Sequence, residues 1–169
     1  KLKASFRDNW VVVPRRYRMD VENWEPITKK AFDFQYIRKK DLKGMDWHSY
    51  GKRHGVRGQK VVELMTMQGS CWFMAKSFFE KLGGLDEVNY GSMGKEAQEV
   101  CLKAWLSGGK VMLNRATWYA HWSKPKEFVI SAKEAKHKSA AWVDEYWRTT
   151  KDYERDLDWL VEKFSPVPS

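Results

Sequence analysis

Two glutamates and one histidine in the second half of the chain have residue types and a spacing that suit chemistry in a cleft. Glu96 and Glu99 lie three residues apart, so they share one face of the helix that the surrounding sequence predicts. A carboxylate such as Glu96 at the lip of a cleft can accept a hydrogen bond from a substrate hydroxyl. His121 ends an apolar and aromatic stretch, and a neutral imidazole nitrogen can ligate a divalent metal.

Each of these residues also has an ordinary structural interpretation. Acidic side chains in the first turn of a helix are favoured by the helix macrodipole, which alone would account for Glu96 and Glu99. A histidine set among Trp118, Tyr119 and Trp122 is often part of a core. One histidine does not make a metal site, so carboxylate partners would have to come from elsewhere in the protein. Both interpretations are compatible with the residues.

Basic residues flank the same regions. Arg15, Arg16 and Arg18 follow an apolar run, and Lys124 and Lys126 follow the histidine. These five side chains can receive a diphosphate, or they can be charges that face solvent. Their position beside a strand end and an aromatic loop suits a diphosphate without being specific for one.

The elements that must position these residues are two strands and a helix. Val11–Val13 is a β-branched run stopped by Pro14, which predicts a buried strand followed by an exit loop. Residues 94–106 have a helical pattern that ends at two glycines, and residues 110–114 form a second apolar strand. Residues 117–122 extend this strand or begin a loop. We expect both strands in one sheet with the helix packed against it.

The rest of the chain predicts further elements of both kinds. The aromatic alternation of residues 26–40 favours a strand over an aromatic-faced helix, and residues 41–59, with four glycines, predict a loop. Residues 61–67 are predicted to be extended, residues 76–82 to be a short helix, and residues 131–164 to be helical. The sequence thus predicts a mixed α/β domain with a helical tail.

Length, net charge and cysteine content limit the binding partners and the cellular compartment that we expect for the protein. The 169 residues fit one domain, and the net charge of +9 favours anionic partners or a solvated surface. No RNP-like, helix-turn-helix or zinc-finger pattern is present, so we expect no nucleic-acid partner. No apolar run approaches the roughly 18 residues of a membrane span. Cys71 and Cys101 form no CxxC pair, which indicates a reducing compartment, and we expect the protein to be cytoplasmic.

The order of several motifs resembles a known family. The segments VVVP, TMQGSCWFMAKSFFEKLGGLDE, GKEAQEVCLKAWLSGGKV and TWYAHW follow one another as in the second half of a GT-A glycosyltransferase. The resemblance extends from about Asn9 to Trp122 and looks closest to the polypeptide N-acetylgalactosaminyltransferases and their bacterial family-2 relatives. No single motif is specific, but their order and spacing agree with the family.

The resemblance implies a fold, an activity and roles for particular residues. The fold would be the second half of a GT-A domain, with a mixed sheet flanked by helices and a helical C-terminal tail. Glu96 would be the catalytic carboxylate beside the donor sugar and the acceptor hydroxyl, and His121 would complete the coordination of Mn²⁺ or Mg²⁺. Further residues would bind the substrate or donor: Gln68, Gly69, Ser70, Trp72, Glu99, Arg15, Arg16, Lys124 and Lys126.

Two departures from the family pattern matter. The resemblance begins after the family's nucleotide-binding half, which carries an Asp-x-Asp or Asp-x-His metal motif, so we expect this chain to be part of a longer enzyme. The residue after Glu96 is Ala97, where inverting members have the aspartate that deprotonates the acceptor. Three alternatives follow: Glu96 itself is the base, the enzyme retains configuration, or the site is impaired.

The expected function is transfer of a sugar from a nucleotide-diphosphate sugar to a hydroxyl of a glycan, protein or lipid acceptor. Residues 1–130 would form the acceptor and metal side of the catalytic domain, and residues 131–169 a helical extension. The alternative is a non-catalytic module that binds a glycan or a protein through aromatic side chains, of which the chain has many, including ten tryptophans.

Overall fold

The structure, a computed structural model, describes residues 6–90, 95–122 and 142–168. Its strands are β1 (Trp10–Asp20), β2 (Glu25–Ile27), β3 (Gln35–Ile37), β4 (Gly44–Asp46), β5 (Val61–Glu63) and β6 (Lys110–His121). Its helices are α1 (Lys76–Lys81), α2 (Glu87–Tyr90), α3 (Glu96–Leu106), α4, which comprises the helical residues 142–149, and α5 (Leu157–Lys163).

The main sheet has the strand order β2-β1-β6-β5. Strands β1 and β6 run parallel at its centre, with Trp10 opposite Lys110 and Arg18 opposite His121, while β2 and β5 pair antiparallel on either side. Strands β3 and β4 form a separate antiparallel pair. The predicted strands at residues 10–13 and 110–114 therefore lie side by side in one sheet, and the prediction of a mixed α/β fold is confirmed.

The first half of β1 lies in the core, which explains its continuous apolar run. Val11 and Val12 are 0% exposed because β1 is a central strand, paired on one side with β6 and bridged at Val12 to Phe73. Helix α3 packs against both strands. Its Trp105 is 1% exposed and donates a hydrogen bond from Nε1 to the carbonyl oxygen of Leu64 at 2.9 Å. The predicted packing of this helix on the sheet is confirmed.

A register shift separates the buried half of the two central strands from the half that carries functional side chains. Pro14 pairs with Asn114, but the next residue, Arg15, pairs with Trp118, so residues 115–117 of β6 form a bulge. A proline has no N–H to give to a sheet, and irregularities of this kind bend and twist the strands. Beyond the bulge the strands continue with arginines and aromatics instead of valines. The exit loop expected after Pro14 is therefore wrong, because β1 passes through the proline and continues to Asp20. The structure thus makes residues 117–121 an extension of β6.

Residues 41–59 are not simply a loop, so that prediction is partly wrong. Gly44–Asp46 forms β4, and Tyr50–Lys52 is a turn of 3₁₀ helix. The segment is ordered by apolar anchors, since Leu42 is 0% exposed and Trp47 is 3% exposed. In the sequence, these two buried residues are surrounded by glycines and charged residues, so they form no apolar pattern that would predict an ordered segment. Between residues 26 and 40 the favoured strand is present as two short strands, β2 and β3.

The C-terminal residues are helical in two pieces. Residues 150–156 interrupt the helix predicted over 131–164, and residues 131–141 lie outside the described part of the chain. Asp156 begins α5, because its side chain accepts a hydrogen bond from the backbone N–H of Trp159 at 2.9 Å. Leu160 is 0% exposed and Phe164 packs on Trp105 of α3. The tail therefore completes the same hydrophobic core, while the division after residue 130 stays a prediction.

Within the described ranges, no helix combines the length and the apolar character needed to cross a membrane.

Candidate functional site

Beyond the bulge, one face of the sheet gathers polar side chains from both central strands. Arg16 lies opposite Tyr119, and Arg18 lies opposite His121. Because side chains alternate between the two faces of a strand, these four residues share one face of the sheet. The parallel pairing of β1 and β6 thus brings together residues that are about a hundred positions apart in the chain.

The loop before α1 reaches this face from one side. The hydroxyl oxygens of Ser70 and Tyr119 lie 2.7 Å apart in a hydrogen bond. Gly69 lies against the start of α3, where a Cβ added to this glycine would meet Oε1 of Glu96 at 3.2 Å. Glu96 therefore lies beside Gly69, and the next residue, Ser70, is hydrogen-bonded to Tyr119 of the sheet.

Glu96 is the first residue of α3, and its side chain is exposed. The preceding Lys95 adopts a left-handed conformation with φ of 65° and gives α3 no side-chain cap. Its ammonium group binds Asp144 at 3.0 Å and the carbonyl oxygen of Asp41 at 3.1 Å. Helix α3 thus begins at a point anchored to two other segments, with the carboxylate of Glu96 left facing solvent beside Gly69.

Glu99 has a different environment from Glu96. It is 1% exposed, and its Oε1 accepts hydrogen bonds from Nζ of Lys103 at 2.6 Å and from the backbone N–H of Asp86 at 2.8 Å. Lys103 also donates to the carbonyl oxygen of Gly84 at 2.8 Å. These contacts give Glu99 a role in joining α3 to the segment before α2. A role in binding the donor stays a prediction.

His121 is held by a neighbouring arginine. Nη2 of Arg16 donates a hydrogen bond to Nδ1 of His121 at 3.1 Å. Partial burial lowers the pKa of His121, and the positive charge of Arg16 lowers it further. The imidazole is therefore biased towards its neutral form.

Tyr119 provides a hydroxyl group that stays protonated. Burial raises the pKa of Tyr119 above its ordinary value, although the hydrogen bond with Ser70 and the charge of Arg16 oppose the rise. At neutral pH the hydroxyl can both donate and accept a hydrogen bond. Tyr119 was absent from the predicted site, but the alternation of side chains along β6 places it two residues before His121 and so on the same face.

The cleft beside these residues is narrow. It lies between the middle of β1 and Gln68, is lined also by Arg16, Phe32 and Tyr119, and has a volume of about 10 Å³. That is about the space of one water molecule. A ligand larger than a water molecule would therefore lie over this face of the sheet and not inside the cleft.

Several predicted residues are not part of this cluster. Arg15 instead forms a bidentate pair with Asp33, with Nη2 at 2.8 Å from Oδ2. Trp72 packs half-buried against Phe79, with 6.0 Å between the ring centroids. Lys124 and Lys126 lie outside the described residues. The structure therefore brings together Arg16, Gln68, Gly69, Ser70, Glu96 and His121 from the predicted set.

The described residues do not by themselves form a site for Mn²⁺ or Mg²⁺. Over residues 6–90, 95–122 and 142–168, no group of three or more His, Cys, Asp or Glu side chains is arranged to hold a metal ion. Among the residues that the structure describes, the hydrogen-bond partner of His121 is an arginine and not a carboxylate. Hard divalent cations prefer several carboxylate and other oxygen ligands together, and the described residues gather no such cluster of carboxylates at this face of the sheet.

Comparison with protein-family models and with curated proteins finds no match. Among solved structures, the chain is similar to GalNAc-T7 with UDP, GalNAc and Mn²⁺, at a TM-score of 0.59 and 17% sequence identity. The similarity covers 95% of this chain and 30% of the GalNAc-T7 chain, so this chain spans less than a third of that structure. At this identity the likeness defines the fold. The chain has a GT-A-like glycosyltransferase fold, with a mixed sheet and flanking helices.

Proposed function

We propose that this protein takes part in the transfer of a sugar from a nucleotide-diphosphate sugar to a hydroxyl group of an acceptor, with Glu96 as the catalytic carboxylate. The observation that carries the proposal is the placement of Glu96, exposed at the start of α3 and close enough to Gly69 that an added Cβ would lie 3.2 Å from its Oε1. Ser70, Tyr119 and His121 continue the same surface. The glycosyltransferase fold supports sugar transfer as the reaction class.

The chemistry asked of Glu96 is that of a general base or an orienting acceptor. The acceptor oxygen forms a bond to the anomeric carbon of the sugar, and the bond from that carbon to the diphosphate oxygen breaks. The proton of the acceptor hydroxyl passes to the carboxylate of Glu96, and the diphosphate leaves with the negative charge. The next residue, Ala97, is 6% exposed and has no group that accepts a proton, so Glu96 is the acidic residue available at this helix start.

Gln68, Gly69 and Ser70 would lie beside the donor sugar. Gly69 allows the backbone to approach Glu96 closely, since a side chain there would press on the carboxylate. The hydroxyls of Ser70 and Tyr119 form a pair of polar groups that can orient a sugar hydroxyl. A divalent ion would supply charge at the leaving diphosphate. Since the described residues do not form a site for one, no step is assigned to it.

The test is sugar transfer by the complete natural protein and by Glu96→Gln, measured with a panel of uridine-diphosphate sugars and hydroxyl-bearing acceptors. Glu96→Gln keeps the shape and removes the base, so turnover falls about 10²–10⁴-fold with an unchanged thermal midpoint. Glu87→Gln is the matched control, because Glu87 is also an exposed carboxylate in the first turn of a helix. Full turnover in Glu96→Gln, or no transfer by the natural protein, would contradict the proposal.

A second candidate function is binding of a glycan without catalysis. Three tryptophans are exposed: Trp24 at 78%, Trp118 at 55% and Trp122 at 46%. Aromatic faces stack on sugar rings, so these side chains suit a carbohydrate surface. Retention on immobilised glycans that Trp118→Ala abolishes and Glu96→Gln leaves intact, together with the absence of transfer, would favour this function over the first.

A further inference from the structure

The hydrogen bond between Arg16 and His121 determines which imidazole nitrogen carries the proton. An arginine side chain has donors and no acceptor, so Nδ1 of His121 must accept the 3.1 Å hydrogen bond from Nη2. The proton of the neutral ring is then on Nε2. Because Nε2 is protonated, it has no lone pair to offer a metal, and the lone pair of Nδ1 already accepts the hydrogen bond from Arg16. Histidines that ligate metals have the opposite arrangement, with the free nitrogen donating to a carboxylate or a carbonyl.

Further cations surround the same place. The ring of Phe32 is approached by three cationic groups: Arg16 at 5.9 Å, Arg18 at 5.1 Å and Lys30 at 5.6 Å from its centroid. The backbone N–H of Phe32 donates to the carbonyl oxygen of Arg16 at 2.9 Å, which fixes the ring beside β1. Arg18 and Lys30 are exposed, so a ligand in solution can reach them.

These cations have no compensating carboxylate in the described part of the chain. None of the ion pairs found there includes Arg16, Arg18 or Lys30. The neighbouring acid, Asp33, already accepts three hydrogen-bond contacts from Arg15 at 2.8 to 3.1 Å. The surface around Phe32 therefore has an excess of positive charge that a bound anion can neutralise.

We propose that Nε2–H of His121 and the side chains of Arg16, Arg18 and Lys30 bind a phosphate group directly, and that His121 is a hydrogen-bond donor and not a metal ligand. A phosphate offers several acceptor oxygens, and arginine forms bidentate, charge-assisted hydrogen bonds to them. The phosphate is part of the donor's diphosphate or of a phosphorylated acceptor. The proposal places substrate binding at the proposed active site and in that sense rests on the proposed function, but it concerns binding and needs no turnover.

The tautomer is tested by nuclear magnetic resonance of the histidine side chains in the ¹⁵N-labelled protein. We expect Nδ1 of His121 unprotonated and Nε2 protonated, with both signals unchanged when Mg²⁺ is added and no selective broadening by Mn²⁺. His48 and His54 are the internal controls. Arg16→Gln is expected to release the ring into a mixture of tautomers, whereas Lys29→Gln leaves it unchanged. A shift of the His121 nitrogens on addition of Mg²⁺, with selective broadening by Mn²⁺, overturns the proposal.

Binding is tested by calorimetry in the presence of a chelator, with inorganic pyrophosphate, uridine diphosphate and a hexose 6-phosphate as separate probes. Arg18→Gln and Lys30→Gln should each weaken binding about tenfold or more, since each removes a charged contact. Lys29→Gln, a neighbouring exposed lysine, is the matched control and should bind as the natural protein does. Tighter binding of the diphosphates indicates the donor, and tighter binding of the hexose phosphate indicates the acceptor.

Equal loss in Lys29→Gln and Lys30→Gln, or binding that appears only with Mn²⁺ or Mg²⁺, would refute the phosphate site. Glu96→Gln separates this proposal from the proposed function. If Glu96→Gln binds pyrophosphate normally but the natural protein transfers no sugar, the proposed function fails and the phosphate site stands.

Discussion

At the scale of single residues, the two glutamates of α3 have opposite surroundings. The carboxylate of Glu96 faces solvent beside Gly69, whereas that of Glu99 is buried and paired with Lys103 at 2.6 Å. The exposed carboxylate of Glu96, which is available for chemistry, thus lies less than one helical turn from the buried carboxylate of Glu99, which stabilises the fold.

Glu99→Gln is expected to destabilise the fold. It leaves the ammonium group of Lys103, 11% exposed, without its anionic partner, and breaking one side of a buried pair costs about 3–5 kcal/mol of unfolding free energy. Urea denaturation measures the loss. Glu80→Gln is the matched control, because Glu80 pairs with Lys76 at the same spacing but in an exposed position, and it should change little. Equal effects of the two substitutions would contradict the buried-pair interpretation.

Gly69→Ala is expected to lower activity without unfolding the protein. The added Cβ would lie 3.2 Å from Oε1 of Glu96 and 3.4 Å from Cβ of Ala97, so the carboxylate must move by a few tenths of an ångström. Misplacement of a catalytic group by about 1 Å can cost 10²-fold in rate, so a drop of about tenfold is expected. Turnover and thermal midpoint are the measurements. In the Glu96→Gln background the same change should have almost no further effect, and additive losses would contradict the mechanism.

At the scale of elements, Glu63 of β5 ties together three parts of the fold. Its carboxylate pairs with Lys110 of β6 at 2.8 Å and with Lys163 of α5 at 2.7 Å. Burial by itself raises the pKa of Glu63, but the hydrogen bonds and charges of the two lysines outweigh it and leave the pKa below its ordinary value of 4.5. The pair of contacts therefore holds the edge strand and the last helix on the central strands while the carboxylate is ionised.

The stabilisation from Glu63 is expected to depend on pH. A carboxyl group whose pKa is lowered on folding stabilises the protein fully above its unfolded value, here 4.5, and loses this effect as the pH falls through the folded pKa. Glu63→Gln should therefore lower the thermal midpoint at pH 7, and the difference from the natural protein should shrink as the pH is reduced below 4.5. Calorimetric melting across this range is the measurement. A difference that is constant with pH would show that Glu63 acts through packing alone.

At the scale of the whole molecule, the C-terminal helices share the core of the sheet. Leu160 and Trp147 are 0% and 2% exposed, and Trp105 of α3 lies with its ring centroid 5.5 Å from that of Phe164. Arg53, in the segment after β4, donates to the carbonyl oxygen of Phe164 at 2.9 Å. The tail is thereby joined to the sheet domain by both apolar contacts and hydrogen bonds.

Leu160→Ala is expected to destabilise the whole chain. Removing a fully buried leucine side chain costs about 2–5 kcal/mol, and the loss should appear in one cooperative transition seen by both tryptophan fluorescence and circular dichroism. Leu85→Ala, at a position that is 39% exposed, is the matched control and should have a much smaller effect. A separate early transition of the tail in Leu160→Ala would show that residues 131–169 unfold as an independent unit.

The sequence by itself determined the elements whose signals are local. A β-branched run before Pro14 predicts the buried part of β1 but not its continuation to Asp20. The apolar faces of α3 with the glycines that follow it predict a helix and its end. These predictions are correct because the spacing of apolar residues within a strand or helix indicates which face of that element is buried. The order of motifs also predicted the glycosyltransferase fold, which the similarity to GalNAc-T7 confirms.

The tertiary structure decided which of the candidate residues meet. Helical spacing puts Glu96 and Glu99 on one face, but packing of α3 against the segment near Asp86 buries only the second of them. Arg16 and His121 are 105 residues apart, and only the parallel register of β1 and β6 brings them into a hydrogen bond. Contacts between distant segments depend on strand register and helix packing, which no local pattern of residue types specifies.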